Sequence, residues 1–95
     1  MKYYLNTKIN KARKYDDEYI RSLADLVLDC GAVGLNIHYS EASKKMIDIF
    51  HQSNLEVSLW TVNKEIDMHR VIVLGCDNIT TRQPLTLIDI IDRKK

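Results

Sequence analysis

The sequence has few of the features that mark several common protein classes. Its two cysteines, Cys30 and Cys76, form neither a CxxC pair nor a metal-ligand spacing, so we expect buried thiols rather than a disulfide or a zinc module. No stretch approaches the roughly 20 apolar residues of a membrane span. The N-terminus lacks an apolar core long enough for a signal peptide. These absences leave the compartment of the protein open.

The sequence also lacks an excess of positive or negative charge. Fourteen lysines and arginines against thirteen aspartates and glutamates give a formal net charge of +1. This balance offers no electrostatic footprint for nucleic acid or for an anionic membrane surface. We interpret the basic residues from Lys8 to Lys14, and those at positions 93–95, as solvated ends. A length of 95 residues and a hydrophobic share of 45% predict one domain, residues 1–95, with a packed core.

What the sequence does contain is a regular alternation of short apolar runs and amphipathic stretches. Strands are predicted at residues 3–5, 32–37, 55–62 and 78–81, each followed by a helix. Ser40 and Asn63 are expected to cap the second and third helices, and glycines at 31 and 75 to end the first and third. The last helix starts at Pro84, with a buried stripe of Leu87, Ile88 and Ile91.

This order of elements predicts an α/β fold of four β/α units. Strand–helix–strand repeats without a linker require a parallel sheet with right-handed crossovers. Four such strands can form a small open sheet covered on both faces, or a segment of an eight-stranded barrel. Periodicity by itself does not choose between these two architectures.

Specific motifs carry a resemblance to a known family. Residues 55–63, Leu-Glu-Val-Ser-Leu-Trp-Thr-Val-Asn, resemble the seventh-strand signature of glycerophosphodiester phosphodiesterases. Residues 74–81, Leu-Gly-Cys-Asp-Asn-Ile-Thr-Thr, followed by Pro84, are similar to the eighth-strand pattern of that family. The segments 37–39 and 3–6 resemble its sixth and fifth strands. The resemblance runs nearly end to end, with the motifs in the right order and at the right separations.

The resemblance implies half of a TIM-type (β/α)8 barrel, of which this chain supplies strands five to eight. A whole barrel takes about 250 residues. In this family an early His-Arg-Gly, a carboxylate pair that holds a divalent ion (Mg²⁺ or Ca²⁺) and a second histidine carry the chemistry. These lie on the first strands, and the sequence contains no His-Arg-Gly. We therefore predict no catalytic residue, no metal ligand and no cofactor site in this chain.

Candidate substrate-binding residues lie where the predicted strands end, because that edge is the functional face of such barrels. They are Trp60, His38, Tyr39, Asn63 and Arg82. By resemblance, Trp60 forms an apolar wall at the glycerol end of the substrate, with packing between strand and helix as the alternative. Asn63 is either a ligand contact or a helix cap. Arg82 stands where the family has aspartate, and either holds a phosphate oxygen or lies on the surface.

Two functions from different classes follow. The first is the C-terminal portion of a phosphodiester hydrolase of lipid and glycerol metabolism, inactive alone and completed by an N-terminal half barrel. The second is a non-catalytic module that self-associates through its open strand edges, at residues 3–5 and 78–81, and binds a small phosphorylated ligand. A third, an open α/β response-type domain, is weakened because the acidic phosphorylation pocket of such domains is missing.

Overall fold

The computed structural model describes residues 3–93 and confirms the alternation of strands and helices. The strands are β1 (Tyr4–Asn6), β2 (Gly34–His38), β3 (Glu56–Trp60) and β4 (Asn78–Ile79). The helices are α1 (Asp17–Cys30), α2 (Lys44–Gln52), α3 (Glu65–Leu74) and α4 (Pro84–Arg93). Two short 3-10 turns, at Lys11–Arg13 and Tyr39–Glu41, lie in the loops after β1 and β2. The solvated tail predicted at positions 93–95 lies partly outside the described residues.

The strands form one parallel sheet in the order β1-β2-β3-β4. A doubly wound sheet reverses its strand order at a switch point, whereas here each strand pairs with the next one along the chain. Successive right-handed crossovers in one direction place all the helices on the same side of the sheet. This is the arrangement of a TIM-type barrel segment. The fold is therefore four parallel β/α units, half of a (β/α)8-like barrel.

The hydrophobic core lies between the sheet and the helices. Strand residues Leu35, Ile37, Val57 and Leu59 are at most 1% exposed and point toward this layer. Because side chains alternate along a strand, their neighbours point to the opposite, concave face. The helices contribute the largest buried side chains, among them Ile20, Met46, Ile47, Phe50, Met68 and Ile90. The side chains on the concave face therefore belong to the strand residues that alternate with the core residues.

The predicted start and stop signals of the helices are partly confirmed. The Asp16 carboxylate accepts a hydrogen bond from the Tyr19 amide and begins α1, and Gly31 ends it with a φ of 73°. Ser40 does not cap α2; it lies in the 3-10 turn, and Ser43 accepts from the Met46 amide instead. The prediction of Asn63 as a cap is also wrong, because Lys64 precedes α3 without any side-chain cap.

The buried stripe predicted for α4 is confirmed at Leu87, which is half-buried against the core, and is wrong at Ile88 and Ile91. Ile90 is fully buried, whereas Ile88 and Ile91 are 53% and 39% exposed. Arg93 forms an ion pair with Glu65 of α3, so helical geometry turns Ile88 and Ile91 to the opposite flank of α4. α4 is the last of the four helices and follows the edge strand β4. The spacing of apolar residues along α4 does not show which of them face the core and which lie on the side with no neighbouring helix.

The cysteines and the helix lengths complete the description. Cys30 is exposed rather than buried as predicted, because its position at the end of α1 turns it to the surface; Cys76 is half-buried, and both are free thiols. Of the helices that the structure describes, none has the length and apolarity needed to span a bilayer.

Candidate functional site

Side chains of the concave face are arranged in rows that follow the strand register. The first row joins Tyr4, Gly34 and Glu56, which are aligned across β1, β2 and β3. The Tyr4 hydroxyl donates to Oε1 of Glu56 at 2.6 Å. Burial, and then the adjacent Glu56 carboxylate, raise the pKa of Tyr4 to about 12. The hydrogen bond and the strand register together fix this first row, which lies at the amino ends of the strands.

The second row is built from amides and a hydroxyl. Nδ2 of Asn36 donates to Oδ1 of Asn6 at 2.7 Å, and Nδ2 of Asn78 donates to Oγ of Ser58 at 2.9 Å. Ser58 is 1% exposed. Oδ1 of Asn36 is buried, and within residues 3–93 it has no hydrogen-bond partner. Barrel interiors are usually filled by branched apolar side chains, so this polar middle row is a specific feature of the chain.

The third row lies at the carboxyl ends of the strands and is aromatic. The His38 ring meets the Trp60 ring edge-on with 5.1 Å between centroids, and stacks on Tyr39 at 4.5 Å. Nδ1 of His38 accepts a hydrogen bond of 3.1 Å from the Ser40 amide. Because that nitrogen is an acceptor, the neutral imidazole carries its proton on Nε2. The sheet and the 3-10 turn thus fix both the orientation and the tautomer of His38.

An open cavity of about 950 Å³ lies above these rows, at the ends of β1, β2 and β3. His38 and Trp60 form one part of its wall, and Asn36 lies at its floor. The loop after β1 forms the opposite part and includes Lys8 and Lys11. In α/β barrels, the carboxyl ends of the strands are where ligands bind. This cavity is therefore the candidate binding site.

The Glu41 carboxylate links the loop after β1 to the end of β2 by hydrogen bonds. Its Oε1 accepts from the His38 amide at 3.2 Å, and its Oε2 accepts from the Ile9 amide at 3.4 Å. Oγ of Ser43 donates to the carbonyl of Lys14 at 2.6 Å and anchors the far end of the same loop. The Glu41 carboxylate, the one acidic group in the cavity lining, is thereby engaged with backbone N–H groups.

Asn63 and Arg82 lie on neighbouring loops outside the cavity lining. Oδ1 of Asn63 accepts from the Arg82 amide at 2.9 Å and from the Thr81 hydroxyl at 3.5 Å. This contact ties the loop after β3 to the loop after β4. The structure thus brings His38 and Trp60 to the cavity, with Tyr39 stacked behind His38. A role in substrate binding stays a prediction for each of the five residues.

Sequence reasoning missed the contribution of the loop after β1. Lys8 and Lys11 are exposed, as the sequence predicts, but they also line the cavity together with Asn6 and Asn10. The available signal was their position directly after a strand whose carboxyl end faces the site. Lysine spacing alone could not reveal this, because the path of the loop back over the sheet depends on the contacts of Glu41 and Ser43.

Carboxylates of the described residues do not assemble a metal site. Residues 3–93 contain no group of three histidine, cysteine or acidic side chains placed to hold an ion. The sequence contains one Glu-x-Asp, Glu65-Ile66-Asp67. It lies in the first turn of α3, where Glu65 pairs with Arg93. The donor set of residues 3–93 therefore does not fit the divalent ion that the family resemblance implies.

Comparison with known proteins agrees with the geometry. The family model described as the glycerophosphoryl diester phosphodiesterase family matches residues 2–86. A crystal structure described as a glycerophosphoryl diester phosphodiesterase from Silicibacter pomeroyi DSS-3 is similar, with a TM-score of 0.71 and 24% identity. The match covers 95% of this chain and 32% of that one, so the chain spans about a third of its length. No curated protein sequence matches. The chain belongs to the glycerophosphoryl diester phosphodiesterase family.

Proposed function

We propose that this chain is the C-terminal, substrate-binding portion of a glycerophosphodiester phosphodiesterase and does not hydrolyse substrate on its own. The observation that carries the proposal is the cavity at the carboxyl ends of the strands, where His38 and Trp60 meet edge-on. An aromatic wall beside polar groups suits a ligand that has both a carbon skeleton and an ionic group. Hydrolysis of glycerophosphodiesters in lipid and glycerol metabolism is then the activity of the completed barrel.

The partner in this proposal is an N-terminal half barrel with the His-Arg-Gly motif and the carboxylate pair. Both edge strands of the sheet, β1 and β4, are parallel to their neighbours and lie at opposite ends of the strand order. Four further parallel strands would pair with both edges and close the barrel. The divalent ion, Mg²⁺ or Ca²⁺, would be held by that half, because the donor set of residues 3–93 does not fit one.

A complementation assay tests this function. The chain is assayed for hydrolysis of glycerophosphocholine with Mg²⁺ or Ca²⁺, alone and mixed with an N-terminal half barrel from a family member that carries His-Arg-Gly. We expect no turnover from either part and chelator-sensitive turnover from the mixture. A mixture in which the partner's first histidine is replaced by alanine is the matched control. Chelator-sensitive turnover by the chain alone would contradict the proposal.

A second candidate function is a self-associating, non-catalytic module that binds a small phosphorylated ligand. The observation in its favour is the apolar flank of α4 formed by Leu85, Ile88 and Ile91, which are all exposed; Ile91 lines a groove together with Asn78 and Ile79 of the edge strand β4. Apolar side chains next to unpaired strand groups favour association with another copy. Two copies related by a two-fold axis would then place β4 of each beside β1 of the other.

Sedimentation distinguishes the second candidate from the first. We expect a self-associating chain to sediment as a dimer, and Ile88→Lys to shift it to the monomer. Ile66→Lys is the matched control, because Ile66 is 69% exposed on α3, away from the flank of α4. A monomer at every concentration would overturn the second candidate and leave the first untouched.

A further inference from the structure

We propose that Lys8 and Lys11, rather than Arg82, hold the anionic phosphate group of the ligand in the strand-end cavity. This inference rests on the proposed function, since it identifies residues for the same site. Both lysines line the cavity together with His38 and Trp60. Arg82 does not line it. An ammonium group on a flexible stem is a suitable point charge for a phosphate oxygen.

Charge in the cavity favours an anion. Glu41 is the one acidic side chain of the lining, and each of its oxygens accepts a backbone N–H, from His38 or from Ile9. No ion pair joins Lys8 or Lys11 to a carboxylate within the described part of the chain. Two other lysines do form ion pairs, Lys44 with Asp48 and Lys45 with Asp17. The lining therefore has two lysine ammonium groups and one carboxylate that already accepts backbone hydrogen bonds. The resulting net positive charge can attract an anionic ligand.

The backbone of the loop that carries Lys8 and Lys11 is held in place, so both residues are kept at the cavity rather than on a free segment. Asn10 accepts from the Ala12 amide and caps the 3-10 turn that contains Lys11. The Asn10 amide donates to the Tyr19 hydroxyl at 2.7 Å, which ties the loop to α1. Ile9, between the two lysines in the chain, is 6% exposed and packs into the core.

The floor of the cavity fits the remainder of such a ligand. Oδ1 of Asn36 is a buried acceptor without a partner among residues 3–93, and an unpaired buried acceptor costs free energy until a donor reaches it. A hydroxyl of a polyol phosphate can supply that donor, while its carbon skeleton contacts the Trp60 ring. The site is therefore matched to a phosphorylated polyol, with the phosphate on the lysine side and a hydroxyl toward Asn36.

Titration of the chain with sn-glycerol 3-phosphate, followed by NMR chemical shifts, tests the inference. We expect Lys8→Gln and Lys11→Gln each to weaken binding about tenfold. Lys64→Gln is the matched control, since it removes one positive charge from an exposed position on a strand-end loop outside the cavity lining, and it should leave affinity unchanged. Arg82→Gln compares the lysines with the earlier candidate, and it should lose less affinity than either lysine variant. Binding should also fall with added salt, because the attraction is between exposed charges.

Several outcomes would overturn the inference. One is an Arg82→Gln variant that loses as much affinity as the lysine variants, and another is lysine variants that bind as the unaltered chain does. Equal affinity for glycerol and sn-glycerol 3-phosphate would also contradict it, as would no binding to the unaltered chain. These outcomes differ from failure of the proposed function, which is read from turnover after complementation and not from binding of a product-like probe.

Discussion

The hydroxyl of Tyr4 donates a 2.6 Å hydrogen bond to Oε1 of Glu56 across the position of Gly34. The contact joins β1 to β3, the two strands on either side of β2, on which Gly34 lies. A Cβ atom at position 34 would meet the backbone of Glu56. The register of the sheet and the absence of a side chain at Gly34 therefore depend on each other.

Substituting Tyr4 by phenylalanine should lower the free energy of unfolding by about 1–2 kcal/mol, because it removes a hydrogen bond to a charged acceptor. The folded state raises the pKa of Tyr4 to about 12 from an ordinary 10. Its contribution to stability is thus complete below pH 10 and is lost as the pH rises toward about 12. Urea unfolding from neutral pH to above pH 10 checks both effects. Identical pH dependence of the two proteins above pH 10 would contradict the prediction.

Gly34→Ala should destabilise the sheet by about 2–3 kcal/mol. A Cβ atom built on Gly34 would lie 1.9 Å from the backbone oxygen of Glu56, which forces β2 and β3 apart. Gly75→Ala is the control: open space surrounds its Cβ position, and the strain of its φ of 83° alone costs about 1 kcal/mol. Thermal or urea unfolding of both variants gives the comparison, and equal losses would show that the close approach of β3 is unimportant.

Asp77→Ala should cost about 1–3 kcal/mol of folding stability. Oδ2 of Asp77 accepts from the Val57 amide at 2.8 Å, replacing a strand partner just before β4 begins, and from Nε2 of His51 at 2.9 Å. Loss of the carboxylate leaves the Val57 N–H without its acceptor. His51→Ala, which breaks only the more exposed of the two contacts, should cost less than about 1 kcal/mol. A larger loss for His51→Ala than for Asp77→Ala would reverse this assignment.

The two cysteines should differ in reactivity toward a thiol-specific disulfide reagent. Burial, and then the neighbouring Asp77, raise the pKa of the Cys76 thiol to about 11 from an ordinary 9. At neutral pH its thiolate fraction, and with it the reaction rate, should be about a hundredfold below that of an ordinary thiol. Cys30 is exposed and should react first. Absorbance kinetics of Cys30→Ser should lack the fast phase, and those of Cys76→Ser should retain it.

Much of the secondary structure could be predicted, because its signals are local. Gly31 and Gly75 end their helices in the left-handed conformation, as expected from residues that carry no Cβ. Asn54, two residues after the end of α2, also adopts a left-handed φ, of 59°. Ser40 and Asn63 were assigned as caps wrongly, because the sequence around them also permits other partners. The Ser40 amide donates to Nδ1 of His38 at the 3-10 turn, and Oδ1 of Asn63 accepts from the Arg82 amide on the next loop.

The candidate site could be predicted only in part for the same reason. His38 and Trp60 end neighbouring strands, so pairing between β2 and β3 brings them together. The loop that carries Lys8 and Lys11 lies at the cavity because Glu41, 32 positions after Ile9, accepts a hydrogen bond from the Ile9 amide. No spacing rule connects residues so far apart. The orientation of Ile88 and Ile91 on α4 likewise depends on the position of α3.

The sequence by itself determined the order of strands and helices, the parallel pairing and the family, since periodicity, helix stops and the Trp-Thr-Val-Asn strand end are all properties of short segments. Periodicity left an open sheet and a barrel segment as alternatives, the family resemblance implied the barrel segment, and the strand order of the tertiary structure confirms it. Only the tertiary structure decided which face of the sheet is polar and which cations reach the cavity. Both depend on long-range contacts, whose partners local patterns do not specify.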